Sequence, residues 1–142
     1  MTREPLARSF HWMEAAVIAV SLLLASLAFA GPSSAQSANL AGTWSGSGSV
    51  SFASGQQEQA RCRVQYSRTS STSYAVRATC ATASGRANQT ATLQHVGGNN
   101  YQGNFYNSEY DVSGTIRVAV GGNRQTVRLS SASGTAMFEL RR

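Results

Sequence analysis

The sequence predicts an all-β protein: an eight-stranded antiparallel up-and-down barrel that follows an N-terminal leader. Three observations predict it. From Thr43 onward the chain falls into eight short runs in which apolar or small residues alternate with polar ones, divided by Gly-, Ser- and Asn-rich turn signals. No helical periodicity appears in that part of the chain. The stretch RCRVQYSRTSSTSYAVRATCA, residues 61–81, folded about Ser71, brings Cys62 opposite Cys80, Val64 opposite Ala78 and Tyr66 opposite Val76. That is a hairpin with one dry face and one wet face.

Taken in order, the chain opens on a basic start (Arg3, Arg8) and an uncharged apolar run, residues 15–30. Such a run is short for a bilayer span and reads as a secretory signal peptide over residues 1–35. Cleavage after Ala35 is favoured over Ala30, because Pro32 breaks the apolar helix and leaves a short polar region before the cut. An uncleaved anchor is the alternative. Residues 36–42 read as a flexible lead-in, and 43–142 as the barrel domain.

Run one, 43–53, alternates Trp44, Gly46, Gly48, Val50 and Phe52 with serines. A turn at 54–57 leads into the central hairpin, runs two and three, with Gly46 and Gly48 expected opposite Tyr66 and Val64. A turn at 84–87 begins run four, expected to set Ala91, Leu93 and His95 opposite Cys80, Ala78 and Val76. Run five carries Tyr101 and Phe105 on one face. Run six alternates Tyr110, Val112, Gly114, Ile116, Val118 and Val120. Run seven offers Val127 and Leu129, and run eight ends the chain with Ala136, Phe138 and Leu140.

A flat sheet of eight such strands exposes two edges and one unpartnered apolar face, and closing it into a barrel removes both problems. A two-sheet sandwich is the alternative topology. A membrane barrel fits poorly: the apolar face is broken by Gly46, Gly48, Ala78 and Gly114, and aromatic girdles are missing.

The segment Leu40-Ala41-Gly42-Thr43-Trp44, opening a meander of strands, resembles the Gly-x-Trp start of the calycin superfamily, which includes lipocalins and avidins. The resemblance implies a basic residue packed over the tryptophan, here Arg141 or Arg142. Size and a single disulfide are most similar to the small bacterial periplasmic inhibitors of secreted metalloproteases. That resemblance implies an N-terminal tail entering a protease cleft, here Gln36, Ser37, Ala38, Asn39 and Leu40. Avidin-like biotin binding is poorly matched, because Trp44 is the one tryptophan left after cleavage.

Composition narrows the chemistry. An exported chain permits disulfides, so opposed Cys62 and Cys80 read as a bridge worth roughly 3 kcal/mol. Two cysteines and His95, the one histidine left after cleavage, make no metal site. His95 reads as a barrel-end side chain bonded to a tyrosine or the backbone, and no acid–base pair stands out. The expectation is a non-enzymatic protein without cofactor. From Gln36 there are ten arginines, no lysine and four acids. Export argues against nucleic acid as the anionic partner. Arg61, Arg63, Arg77, Arg117 and Arg128 lie on wet faces, with Arg117 expected directly opposite Arg128, and form candidate anion patches. The ordinary alternative is a solvated surface. Trp44, Tyr66, Tyr74, His95, Tyr101, Phe105, Tyr110 and Phe138 are the interior ligand candidates. The reading is therefore a secreted or periplasmic binding protein. It is led by a protease inhibitor acting through its tail, with a small-ligand carrier or an envelope protein docking on anionic polymers as alternatives.

Overall fold

The alternation after Thr43 becomes eight strands: β1 (Gly42–Phe52), β2 (Gln57–Arg68), β3 (Ser73–Thr82), β4 (Gly85–Gly97), β5 (Asn100–Asn107), β6 (Val112–Gly121), β7 (Arg124–Ser131) and β8 (Gly134–Arg141). They are seen in a computed structural model that describes Gly31 and residues 38–142. The signal peptide, both cleavage sites and Gln36 and Ser37 lie outside the described residues. Each strand pairs antiparallel with its sequence neighbours, and β8 pairs back onto β1, closing the barrel. Closure settles the topology against a sandwich.

Parity does what period-two alternation requires. On β2, Ala60, Cys62, Val64 and Tyr66 are buried, while Arg61, Arg63 and Gln65 between them are exposed. Serines and arginines cover the outer wall and the apolar set faces inward, opposite to the arrangement of a lipid-facing barrel. Cys62 and Cys80 are disulfide-bonded across β2 and β3, with Cα atoms 4.1 Å apart. Arg117 stands opposite Arg128, and Val118 opposite Val127.

Two hairpin registers differ from expectation by four residues. Gly46 pairs with Cys62 and Gly48 with Ala60, while Tyr66 faces Gly42. Ala91 pairs with Val76 and Leu93 with Tyr74, while Cys80 faces Ala87. The reason is the same in both: the turns are tighter than their composition suggests. Thr82 already pairs with Gly85, leaving a two-residue turn. At the first hairpin, β1 runs to Phe52, whose N–H reaches the Gln56 carbonyl at 2.8 Å, and Gly55 takes a φ of 90°.

Gly46 and Gly48 also have a role other than making room for large interior side chains. A Cβ at Gly46 would land on the Glu139 carbonyl oxygen, and one at Gly48 on that of Met137. The two glycines let β1 bend tightly against β8 at the closing seam. Tyr110 is not a strand residue: it lies in the β5–β6 turn, before β6 begins at Val112, and is 59% exposed.

Four turns (β1–β2, β3–β4, β5–β6 and β7–β8) gather at one end of the barrel, and three with the C-terminus at the other. The second end is shut. Leu40 and Trp44 are completely buried there, with Tyr66, Tyr74, Leu93 and Leu140 beside them. The expected flexible lead-in is instead a strap across this end from residue 38 onward. The Trp44 indole N–H donates to the Leu40 carbonyl at 2.8 Å, and the Tyr101 hydroxyl donates to the Ala38 carbonyl at 2.6 Å. The Tyr74 hydroxyl donates to Asn39 Oδ1 at 3.1 Å and accepts from Arg68 at 2.7 Å. Arg142 lies over the Trp44 ring at 4.5 Å and donates to the Asn39 carbonyl at 2.9 Å. Of the two terminal arginines, Arg142 makes the cation–π contact.

Candidate functional site

The inward-facing positions near the four-turn end differ from those at the shut end. Val50, Ala87, Gln89, Val112, Leu129 and Ala136 share the inward parity yet remain half-buried. They surround an open cavity of about 570 Å³. Its wall also carries Ala60, Cys80, Phe105 and Phe138, and its rim includes Phe52 and Tyr110. The residual space nearer the shut end, among Val64, Tyr66, Val76 and Ile116, measures only about 30 Å³. The barrel is thus a cup, packed solid in its lower half and hollow in its upper half.

Most of the cup's polar groups come from the turns and strand ends at the lip, with Gln89 set deeper in the wall. Asn107 is buried, and its Oδ1 accepts the Glu109 and Tyr110 N–H groups at 3.1 and 3.2 Å, fixing the β5–β6 turn. Within that turn Asp111 has a φ of 50°, in the left-handed region. Glu109 turns away from the cavity: its carboxylate accepts from the Asn88 backbone and side chain at 3.0 and 2.7 Å, which lowers its pKa below the usual carboxylate value. Glu58, two residues before Ala60 and therefore inward, lies on the cavity wall. One carboxylate oxygen accepts from the Ser84 hydroxyl and from Gln56 Nε2. Hydrogen bonds from Ser84 and Thr82 lower its pKa.

The structure divides the aromatic candidates between the two halves. Phe105 and Phe138 form cavity wall, and Tyr110 stands at the rim. Trp44, Tyr66, Tyr74 and Tyr101 belong to the shut end. There Trp44 meets Tyr66 edge-on at 6.5 Å and Tyr74 meets Tyr101 at 5.6 Å. His95 is at the same end, its Nε2 against the Gly98 carbonyl at 2.7 Å and its ring 5.3 Å from Tyr101. Ala38, Asn39 and Leu40 are held by the strap contacts and form no free tail.

The arginines do not converge either. Arg63 and Arg77 flank a shallow outer groove with Thr43 and Gln65, and Arg61 lies on the same wall. Arg117 and Arg128, on β6 and β7, occupy the opposite side of the barrel. Sequence reasoning missed Val50, Phe52, Glu58, Gln89 and Leu129. Counting back by twos from Cys62 would have found Glu58 on the inner face.

No family model and no curated protein matches this sequence. Its fold is similar to designed barrels among solved structures. A de novo designed fluorescence-activating β-barrel is 17% identical, with a TM-score of 0.57 over 72% of this chain and 92% of that one. The redesigned barrel mFAP1, in a structure bound to DFHBI, is 12% identical, with a TM-score of 0.63 over 72% and 94%. EF1p2_mFAP2b, also bound to DFHBI, is 9% identical, with a TM-score of 0.62 over 72% and 93%. At these identities the likeness shows the small β-barrel fold.

Proposed function

We propose that the protein is a non-enzymatic binding protein that takes a small, largely apolar ligand into the cup. The observation that carries this is the cavity of about 570 Å³, open at one end of a barrel whose other end is sealed. That volume lies in the range of small-molecule sites, and its wall sets apolar side chains below a largely polar lip, with Gln89 as a polar group deeper inside. Two of the designed barrels of similar fold are seen bound to DFHBI, which supports the use of this architecture as a ligand cup.

Protease inhibition through the tail draws less support, because residues 38–40 are engaged in sealing the barrel. The leader and the Cys62–Cys80 bond support export to the periplasm or beyond, where disulfides persist.

Native mass spectrometry of the purified protein, with and without a small-molecule library, tests the reading. Wild type should retain one small molecule, and Ala136→Trp, which fills the cup from β8, should lose it while keeping its far-ultraviolet spectrum. Binding unchanged in the folded Ala136→Trp variant would move the site elsewhere.

A further inference from the structure

We infer that the ligand of the cup carries a protonated amine directed at Glu58, on an apolar body that fills the space below. The inference rests on the cup being the binding site, and adds the charge of what it takes.

Among the described residues that line the cavity, Glu58 is the one formally charged side chain, and the ten arginines of residues 38–142 all lie elsewhere. A protein strongly positive on its outside therefore has a cavity of the opposite sign. The carboxylate is half served. Its Oε1 accepts from Ser84 and Gln56 and the carboxylate also feels the Thr82 hydroxyl, whereas Oε2 has no geometric hydrogen-bond partner among the described residues. A carboxylate on the wall of a partly apolar cavity is unfavourable without a counter-charge, and a charged N–H donor reaching its accessible side is the group that offsets it best. An ordinary carboxyl is ionised at neutral pH, and the hydrogen bonds from Ser84 and Thr82 lower the Glu58 pKa further.

The surroundings suit an ammonium group as well. Val50 faces Glu58 across the β1–β2 ladder, so Phe52, two residues on, is its diagonal neighbour on the inner face. Tyr110 is a second aromatic ring at the rim. Aromatic faces attract cations, and a carboxylate beside them gives an amine both a counter-ion and a ring to lie against. Ser84 in the two-residue β3–β4 turn and Gln56 in the β1–β2 turn are the two donors to Oε1, so rotation of both side chains surrenders it to an incoming donor. Below the lip, Phe105, Leu129 and Phe138 offer apolar wall to the rest of the molecule.

A matched pair of probes tests this. Titration calorimetry would compare 2-(1-naphthyl)ethylamine with 2-(1-naphthyl)ethanol on the wild-type protein and on Glu58→Gln, which keeps shape and removes charge. The amine should bind wild type about tenfold or more tightly than the alcohol, and Glu58→Gln should bring the two together. Equal affinities on wild type, or a preference that survives Glu58→Gln, overturn the inference while leaving the cup as a neutral ligand site. Failure of both probes to bind wild type overturns the inference together with the reading beneath it. The wild-type comparison decides by itself whether or not the variant folds.

Discussion

Tyr66 and Gln125 show how much a single buried pair decides. Gln125 is 2% exposed, and its Oε1 accepts the Tyr66 hydroxyl at 2.7 Å. Its Nε2 has no partner among the described residues. Gln125→Leu therefore strands the tyrosine hydroxyl, and should lower stability by about 1–3 kcal/mol. Tyr66→Phe strands the other half of the amide and should cost a similar amount. The double variant Tyr66→Phe/Gln125→Leu removes every unpaired atom at once, and should come back to near wild type. Urea unfolding of the three variants measures the cycle, and additive losses would show that the pair is not a closed unit.

At the scale of the strand, one tight constraint is the seam between β1 and β8. The methyl of Gly48→Ala would occupy the place of the Met137 carbonyl oxygen and press on the Phe138 ring. Closure depends on that approach, so the variant should lose about 3 kcal/mol or more, at or beyond the usual range of overpacking. Gly121→Ala has nothing within 4 Å of the added carbon, and should change stability by less than about 0.5 kcal/mol. Thermal unfolding of the two side by side distinguishes seam strain from a general intolerance of side chains.

The same elements show what could be read in the sequence. The central hairpin was legible because its cysteines and alternating residues are symmetric about Ser71, and symmetry gives register without knowledge of the turn. The flanking hairpins lack such a marker. Their registers depended on counting turn residues, and Ser54–Gln57 and Ser84–Ala87 are all polar or small without all being turn. Parity identified the inner face correctly for Trp44, Tyr66, Phe105 and Phe138. Parity has no depth, however, so it could not separate the aromatics that seal one end from those that line the cup. Leu40 escaped because a strap that crosses a barrel end has no period to detect.

For the whole molecule, acid and alkali should act through different groups. Glu58 and Glu109 have pKa values held below the ordinary 4.5 by hydrogen bonds from Ser84 and Asn88 respectively. A depressed folded-state pKa stabilises the fold above the ordinary value, and that contribution disappears as pH falls through the folded one. Tyr66 is the opposite case: burial raises its pKa well above the ordinary 10.0. Its contribution is complete below pH 10 and is lost as pH rises beyond. Chemical denaturation between pH 2 and 11 should therefore give a plateau with declines below about pH 4.5 and above about pH 10. Glu58→Gln should soften the acid decline and leave the alkaline one in place.

Closure has one more consequence. Arg142 donates its backbone N–H to the Asn123 carbonyl at 3.2 Å, and its guanidinium reaches Asn39, so the strap and the last residue meet beside the β6–β7 turn at the sealed base. The staves of this vessel form a ring in which β8-to-β1 is one junction among eight, the one that carries no peptide link. Circular permutation is then a natural operation on it. Joining Arg142 to the strap through a short bridge, and opening the chain between Gly122 and Asn123, renumbers the staves without disturbing one contact at the lip. The chain has a beginning and an end, and the vessel wall has neither.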